Sequence, residues 1–250
     1  MTPAAITEAA SVLCRARRDG ATLDALPASC RPATLAEAHA VQAATGVQLG
    51  ETIAGWKVGA TPDGGVARGA LFASRVYESG AHLAAASTPL LGVEAEIAFR
   101  FERDLPQRGR AYTYDEVAAA VVAFPAIEIV DSRFRDYPKA PFLDRVADCM
   151  SNGAFVRGAP VANWRSFDLV SIAVELAVDG AAIVQRAGGH PTKDPLLPAV
   201  ALVNDLRAES GVAAGQMVTT GTYTGLHYAK AGDRVVATFR GFGDVRVTFA

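Results

Sequence analysis

Cysteine and histidine are scarce in this 250-residue chain, which holds three of the first (Cys14, Cys30, Cys149) and four of the second (His39, His82, His190, His227). An odd, widely spaced cysteine set makes no disulfide framework and suits a reducing compartment. C-x-x-C and H-E-x-x-H are absent, and with them the common zinc motifs. So are G-x-x-x-x-G-K-[ST], G-x-G-x-x-G and G-x-S-x-G, which removes support for nucleoside triphosphates, dinucleotides and serine hydrolysis. Charge of one sign is lacking too: 24 basic against 26 acidic side chains leave a net charge of −2. With no basic excess to displace counterions, no nucleic acid partner is expected. The one local cluster, Arg15, Arg17 and Arg18, reads as the solvated face of a helix. Long hydrophobic runs are also missing. The longest, Val117 to Ile127, has 11 residues and contains Pro125, against the roughly 20 that a spanning helix needs. The amino terminus has no basic stretch followed by an apolar core, so a cytoplasmic chain with no membrane contact is expected.

What is present is the material for a core. Half of the residues are apolar and a fifth are charged, which excludes intrinsic disorder. The length fits one large domain, or one with a small appendage. The first fifty residues read as helical. Ile6, Ala9, Ala10, Leu13 and Ala16 recur at helical spacing up to Gly20, and Thr34 with Glu37 forms a T-x-x-E capping box before Leu35, Ala38, Val41 and Ala44. From about Thr52 the period changes. Ile53 to Ala60 is short and glycine-rich, and Thr61-Pro62-Asp63-Gly64 is a turn by chemistry. Gly92 to Phe101 alternates, with Val93, Ala95 and Ile97 on one face and Glu94, Glu96 and Ala98 on the other. A second capping box at Thr113 and Glu116 predicts a helix through Ala123, stopped by Pro125, and Ala126 to Val130 is strand-like. Further on, Ile172 to Val178 alternates towards Asp179-Gly180, a hairpin signal. Asp194 reads as the N-cap of a helix starting at Pro195, with Leu196, Val200, Val203 and Leu206 as its buried stripe. Val235 to Phe239 and Val245 to Phe249 form a last hairpin. Strands with few intervening helices predict an α+β fold on a mixed or antiparallel sheet. The expected division is a helical N-terminal region with the first strand over 1–80 and a β-rich catalytic domain over 81–250, together one structural unit.

The remaining chemistry is acidic. Glu94 and Glu96, two apart on a strand, point the same way. They read either as a solvated strand face or, given the small apolar Gly92 and Ala98 beside them, as a paired carboxylate site. Glu128 sits among apolar neighbours in Phe124-Pro125-Ala126-Ile127-Glu128-Ile129-Val130, where an isolated carboxylate suffers desolvation and needs a proton, a cation or a metal. An ion pair with Arg133 or Arg135 is the plain alternative. Three carboxylates without cysteine suit a hard dication, Mg²⁺ or Mn²⁺, with Asp131 as the rival third ligand. Lys57, inside Gly55-Trp56-Lys57-Val58-Gly59, is either an edge-strand lysine reaching solvent or a catalytic ammonium beside that site, holding a substrate carboxylate or shuttling a proton with a lowered pKa. His190, followed by Pro191 ahead of a helix, reads as a capping or packing residue.

Three segments then resemble the hydratase/decarboxylase branch of the fumarylacetoacetate hydrolase family: Gly55 to Gly59, Gly92-Val93-Glu94-Ala95-Glu96-Ile97-Ala98-Phe99, and Ala126-Ile127-Glu128-Ile129-Val130-Asp131-Ser132-Arg133. His190-Pro191, Thr220-Gly221-Thr222, Ala231-Gly232-Asp233 and Gly243 to Val247 resemble its carboxyl-terminal signposts, in order along nearly the whole chain. The resemblance implies a mixed β-roll with a helical N-terminal region, and a divalent metal on Glu94, Glu96 and Glu128. It also implies Lys57 beside a small 2-oxo acid substrate, with Ser151 and Thr222 as substrate contacts, in a homo-oligomer. The implied activity is a hydratase that adds water to a 2-hydroxy-2,4-dienoate, giving a 4-hydroxy-2-oxo acid in aromatic catabolism. A 2-oxo-3-enedioate decarboxylase uses the same electron sink. The pattern departs from the family at Gly69-Ala70-Leu71-Phe72-Ala73-Ser74, which lacks an aspartate, and at Asp148-Cys149-Met150-Ser151-Asn152. The first departure keeps a catalytically inactive partner subunit among the readings.

Overall fold

The computed structural model describes residues 1–250. Two helices lead, α1 (Pro3–Asp19) and α2 (Leu35–Leu49). Thr2 and Thr34 cap them through their hydroxyls, and Gly20 and Gly50 end them in the left-handed conformation. The Thr34 hydroxyl accepts from Glu37 N as the predicted box requires, while the Glu37 carboxylate also takes Ala33 N and the terminal amine. The chain then continues as β1 (Ile53–Ala60), β2 (Val66–Phe72), β3 (Val76–Glu78), β4 (Ala81–Leu83), β5 (Gly92–Phe101), α3 (Tyr114–Ala118) and β6 (Val121–Val130). There follow α4 (Phe142–Ala147), β7 (Asn152–Arg157), the hairpin β8 (Ala173–Val178) and β9 (Ala181–Ala187), and α5 (Leu196–Leu206). The last four strands are β10 (Met217–Thr222), β11 (His227–Tyr228), β12 (Arg234–Phe239) and β13 (Gly243–Phe249).

The strands form two mixed sheets. The larger runs β2-β1-β10-β5-β6-β7-β3, with β11 added to the start of β5, and the smaller runs β4-β13-β12-β8-β9. Most neighbours are antiparallel; β1 with β10, β3 with β7 and β4 with β13 are parallel. The larger sheet curls, so that Leu71 of β2 and Phe155 of β7 share one apolar cluster with Ala98, Phe124, Ala126 and Met217 on its concave face. Its other face (Val93, Ala95, Ile97, Phe99, Ile127, Ile129) packs with the smaller sheet and α5 into the main core. The helices α1, α2 and α4 share a separate cluster around Leu13, Leu26, Val41 and Val146. No helix is long and apolar enough to cross a membrane, and all three cysteines are free and buried.

Two expectations need correction. The helix predicted to run from Thr113 through Ala123 ends at Ala118, and Val121 to Val130 is one ten-residue strand that carries Pro125 within it. Every residue of that strand pairs with β5, so a full ladder outweighs the local helix signal. The proline is tolerated because its carbonyl and missing N–H both face the β7 side. There β7 has already ended, and only Gly158 N reaches across to Pro125 O, at 2.8 Å. The second correction concerns α5, which begins at Leu196: Asp194 caps it by accepting from Leu196 N at 2.8 Å, while Val200 is only half-buried.

Candidate active site

Register builds the site. Glu94 pairs with Glu128 across β5 and β6, and Glu96 with Thr222 across β5 and β10. Side chains directly opposite one another share a face, so all three glutamates project from the concave side. One carboxylate oxygen of each lies within 4.8 Å of the others. Lys57, on β1 between β2 and β10, reaches the same place: Nζ is 2.9 Å from Glu128 Oε1 and 3.9 Å from Glu94 Oε2. Neither plain alternative describes these groups. Glu96 and Glu128 are 1% and 0% exposed, so this is no solvated face, and β1 is an interior strand, so Lys57 is no edge lysine. Glu128 pairs with Lys57, whereas Arg133 binds Asp148 and Asp131, and Arg135 lies 3.7 Å from Asp24 at the surface. Asp131 is engaged by Arg133 and by Leu90 N and stands outside the cluster.

The electrostatics follow from burial. Desolvation, followed by the neighbouring Glu128 and Glu94 charges, lifts the Glu96 carboxyl to about 8. Desolvation also raises Glu94, against the pull of Lys57. Desolvation alone would lower the Lys57 ammonium, but Glu128, Glu94 and Glu96 together hold it above its ordinary value, so it stays protonated. One Glu96 oxygen accepts three donors from β10: the Thr219 hydroxyl, Thr220 N at 3.0 Å and Gly221 N at 2.9 Å. Glu128 Oε1 accepts from Asn152 Nδ2 at 3.0 Å, but its buried Oε2 has no partner. An orphaned carboxylate oxygen facing two more carboxylates fits a cation. Glu94, Glu96 and Glu128 can hold a hard dication through oxygen alone.

Of the two remaining expected residues, Thr222 is tied to the cluster by register, while Ser151 is tied to it only through its neighbour in the chain, Asn152. Ser151 precedes Asn152, is fully buried, and its hydroxyl has no partner. Thr222 sits opposite Glu96, yet its hydroxyl is occupied locally, accepting from Thr224 N at 3.1 Å and Gly225 N at 3.0 Å. Sequence reasoning missed Asn152 and the Thr219–Gly221 donors. Two of those donors are backbone groups and carry no sequence signal. At the departure from the family pattern, Ser74 donates its hydroxyl to the Glu51 carboxylate, so an acid stands at that corner although no aspartate does.

Residues 71–250 match the family model described as fumarylacetoacetate (FAA) hydrolase C-terminal. The chain belongs to this family. It is 34% identical to a 2-keto-4-pentenoate hydratase of Burkholderia vietnamiensis over 98% of this chain and 97% of that one. It is 32% identical to a 2-hydroxyhexa-2,4-dienoate hydratase of Comamonas testosteroni, over 80% of this chain and 79% of that one. Among solved structures, the 4-oxalocrotonate decarboxylase of Pseudomonas putida G7, complexed with magnesium and adipate, superimposes with a TM-score of 0.88. That match has 22% identity and covers 100% of this chain and 99% of the other. The mixed α+β roll with its helical lead-in is therefore the fold of this family.

Proposed function

We propose that this chain is a metal-dependent hydro-lyase, working as a homo-oligomer in the cytoplasm, that converts a 2-hydroxy-2,4-dienoate into a 4-hydroxy-2-oxo acid. The observation that carries the reading is the charge imbalance at the cluster: three carboxylates meet one ammonium, and Glu128 Oε2 is buried with nothing to bond. Lewis-acid withdrawal of electrons from a 2-oxo acid is the chemistry that Mg²⁺ or Mn²⁺ supplies when held by Glu94, Glu96 and Glu128. The hydratase names of relatives similar over most of the chain agree with it.

The chain's own residues then divide the work. Lys57, an ammonium 2.9 Å from Glu128 and 3.9 Å from Glu94, holds the substrate carboxylate or passes a proton to the reacting atoms. Ser151 presents a free buried hydroxyl beside Asn152. Thr222 helps to shape the loop that follows β10, with its hydroxyl spent on that loop. In the reaction a proton leaves the 2-hydroxyl and another adds at carbon 5. Water oxygen then bonds to carbon 4 as one of its O–H bonds breaks, and carbon 3 gains a proton in exchange for the one released, so that one H₂O is added overall.

The test is turnover of 2-hydroxypenta-2,4-dienoate and of a 2-oxo-3-enedioate, each with and without Mg²⁺. Metal-dependent loss of the dienoate supports the hydratase. Release of CO₂ from the enedioate alone replaces it with a decarboxylase, and activity on neither substrate replaces it with an inactive partner subunit.

A further inference from the structure

Asn152 reaches the site at the end of an unusual stretch of backbone. Cys149, Met150 and Ser151 have φ of 54°, 52° and 60°, three successive left-handed residues, none of them glycine. Side chains resist that conformation, so something must hold it. The stretch lies against β2, where a Cβ on Gly69 would come within 2.3 Å of Cys149 O. Gly69 is the register partner of Lys57.

The hold comes from buried charges. The Asp148 carboxylate accepts Arg133 Nε on both oxygens at 2.8 Å, Arg133 N at 3.1 Å, and Arg17 Nη2 at 2.9 Å. The Asp148 carbonyl accepts Ser151 N at 3.0 Å. At the far end Arg133 Nη2 donates to Asn152 O at 3.1 Å, and Asp131 N to Ser151 O at 2.9 Å. Arg133 thus grips both ends of the stretch. Arg17, read from sequence as part of a solvated face, turns inward from α1 to complete the grip.

We propose that Asp148 is a positioning residue. Clamped by Arg133 and Arg17, it keeps residues 149–151 in their left-handed turn and thereby places Asn152 on Glu128. The catalytic consequence rests on the hydratase reading; the geometric one does not.

Two measurements on Asp148→Asn, made with the full Mg²⁺-loaded chain, decide the matter. Cys149 is buried, which pushes its thiol up to about 11 and keeps it unreactive. In Asp148→Asn, mass-mapped labelling of Cys149 should accelerate at least tenfold while Cys14 and Cys30 keep their wild-type rates. Turnover of the dienoate should lose about 10- to 100-fold in kcat with KM within threefold, the size of effect seen when support for a metal ligand is removed. Arg17→Met, which spares the buried carboxylate, should move both readouts the same way by less, and Arg17→Lys should restore much of the loss. Unchanged Cys149 labelling in both the Asp148→Asn and Arg17→Met variants overturns the clamp. Faster labelling with unchanged kcat overturns the positioning role. A wild type without turnover sinks the hydratase reading alone, because the labelling comparison still decides the clamp.

Discussion

Lys57 Nζ lies 2.9 Å from Glu128 Oε1, although β10 and β5 separate their strands. In a flat sheet those two backbones would stand about 14 Å apart, three strand spacings of roughly 4.8 Å. The curl of the larger sheet brings them within reach. It is also what lets four residues from three strands face one point.

Replacing that lysine should therefore be costly even without chemistry. Lys57→Met leaves two buried carboxylates and the partly exposed Glu94 with no cation within 4 Å. Breaking one side of a buried pair costs of order 3 kcal/mol. Urea denaturation of the metal-free variant at pH 8 should show a loss of that order. Millimolar Mg²⁺ should return part of it through binding to the native state. An unchanged midpoint in metal-free buffer would contradict the ion pair.

Glu96 predicts a pH dependence of a particular sign. Its carboxyl is lifted to about 8 from an ordinary 4.5, chiefly by desolvation. Between those values the folded state binds a proton that the unfolded state has released. This group's contribution to stability is thus present below pH 4.5 and is lost as pH rises through 8. Glu96→Gln should flatten that part of the stability curve and leave the fold intact, because the amide oxygen can still accept from Thr219, Thr220 and Gly221. The same variant should lose metal-dependent turnover. In the wild type, metal uptake at pH 7 should release about one proton, read by calorimetry in buffers of different ionisation enthalpy. Full activity in Glu96→Gln would contradict the ligand assignment.

Much of this was legible in the sequence, for reasons particular to each residue. The ends of β1 and β5 follow from glycine flanks and strict alternation, and the acidic pair from a period of two. Glu128 gave itself away by its apolar setting. Its partner did not, because choosing Lys57 over Arg133 requires the strand order β1-β10-β5-β6, fixed by contacts distant in sequence. The run from Val117 to Ala123 misled because alanine and valine carry no clear period, and Pro125 reads as a stop until the place where β7 ends is known. Asn152 was invisible as a site residue, since nothing local reports that a left-handed turn aims it at Glu128.

Gly69 offers a steric test. A Cβ there would sit 2.3 Å from Cys149 O and 2.6 Å from Cys149 C, both backbone atoms that cannot swing aside. Gly69→Ala should destabilise by about 1–3 kcal/mol, the cost of overpacking a filled space. It should also depress turnover by more than the unfolded fraction explains, as the displaced segment carries Ser151 and Asn152. Chemical denaturation and a steady-state assay at the same temperature separate the two effects. Wild-type stability would contradict the close approach.

Acid should strain the same scaffold from behind. His190 is buried, and desolvation holds its ring at about 4, with only partial relief from Thr220 and Asp194. Nε2 lies 3.0 Å from Thr220 O, while Nδ1 accepts from Thr192 N at 3.3 Å. The ring is therefore neutral, with its proton on Nε2 and directed at the residue whose N–H holds Glu96. Because the folded value is depressed from 6.5, the unfolded chain binds the extra proton first. The contribution of His190 is then present above pH 6.5 and lost as pH falls towards 4, opposite in sign to that of Glu96. Between pH 6.5 and 4.5 the gain from Glu96 offsets part of what His190, and the likewise depressed buried ring of His39, lose in the wild type. Glu96→Gln should unmask the histidine and make stability fall with acidification across that window. Adding His190→Gln to it should remove part of that slope; a wild-type-like profile in Glu96→Gln would contradict the opposed titrations.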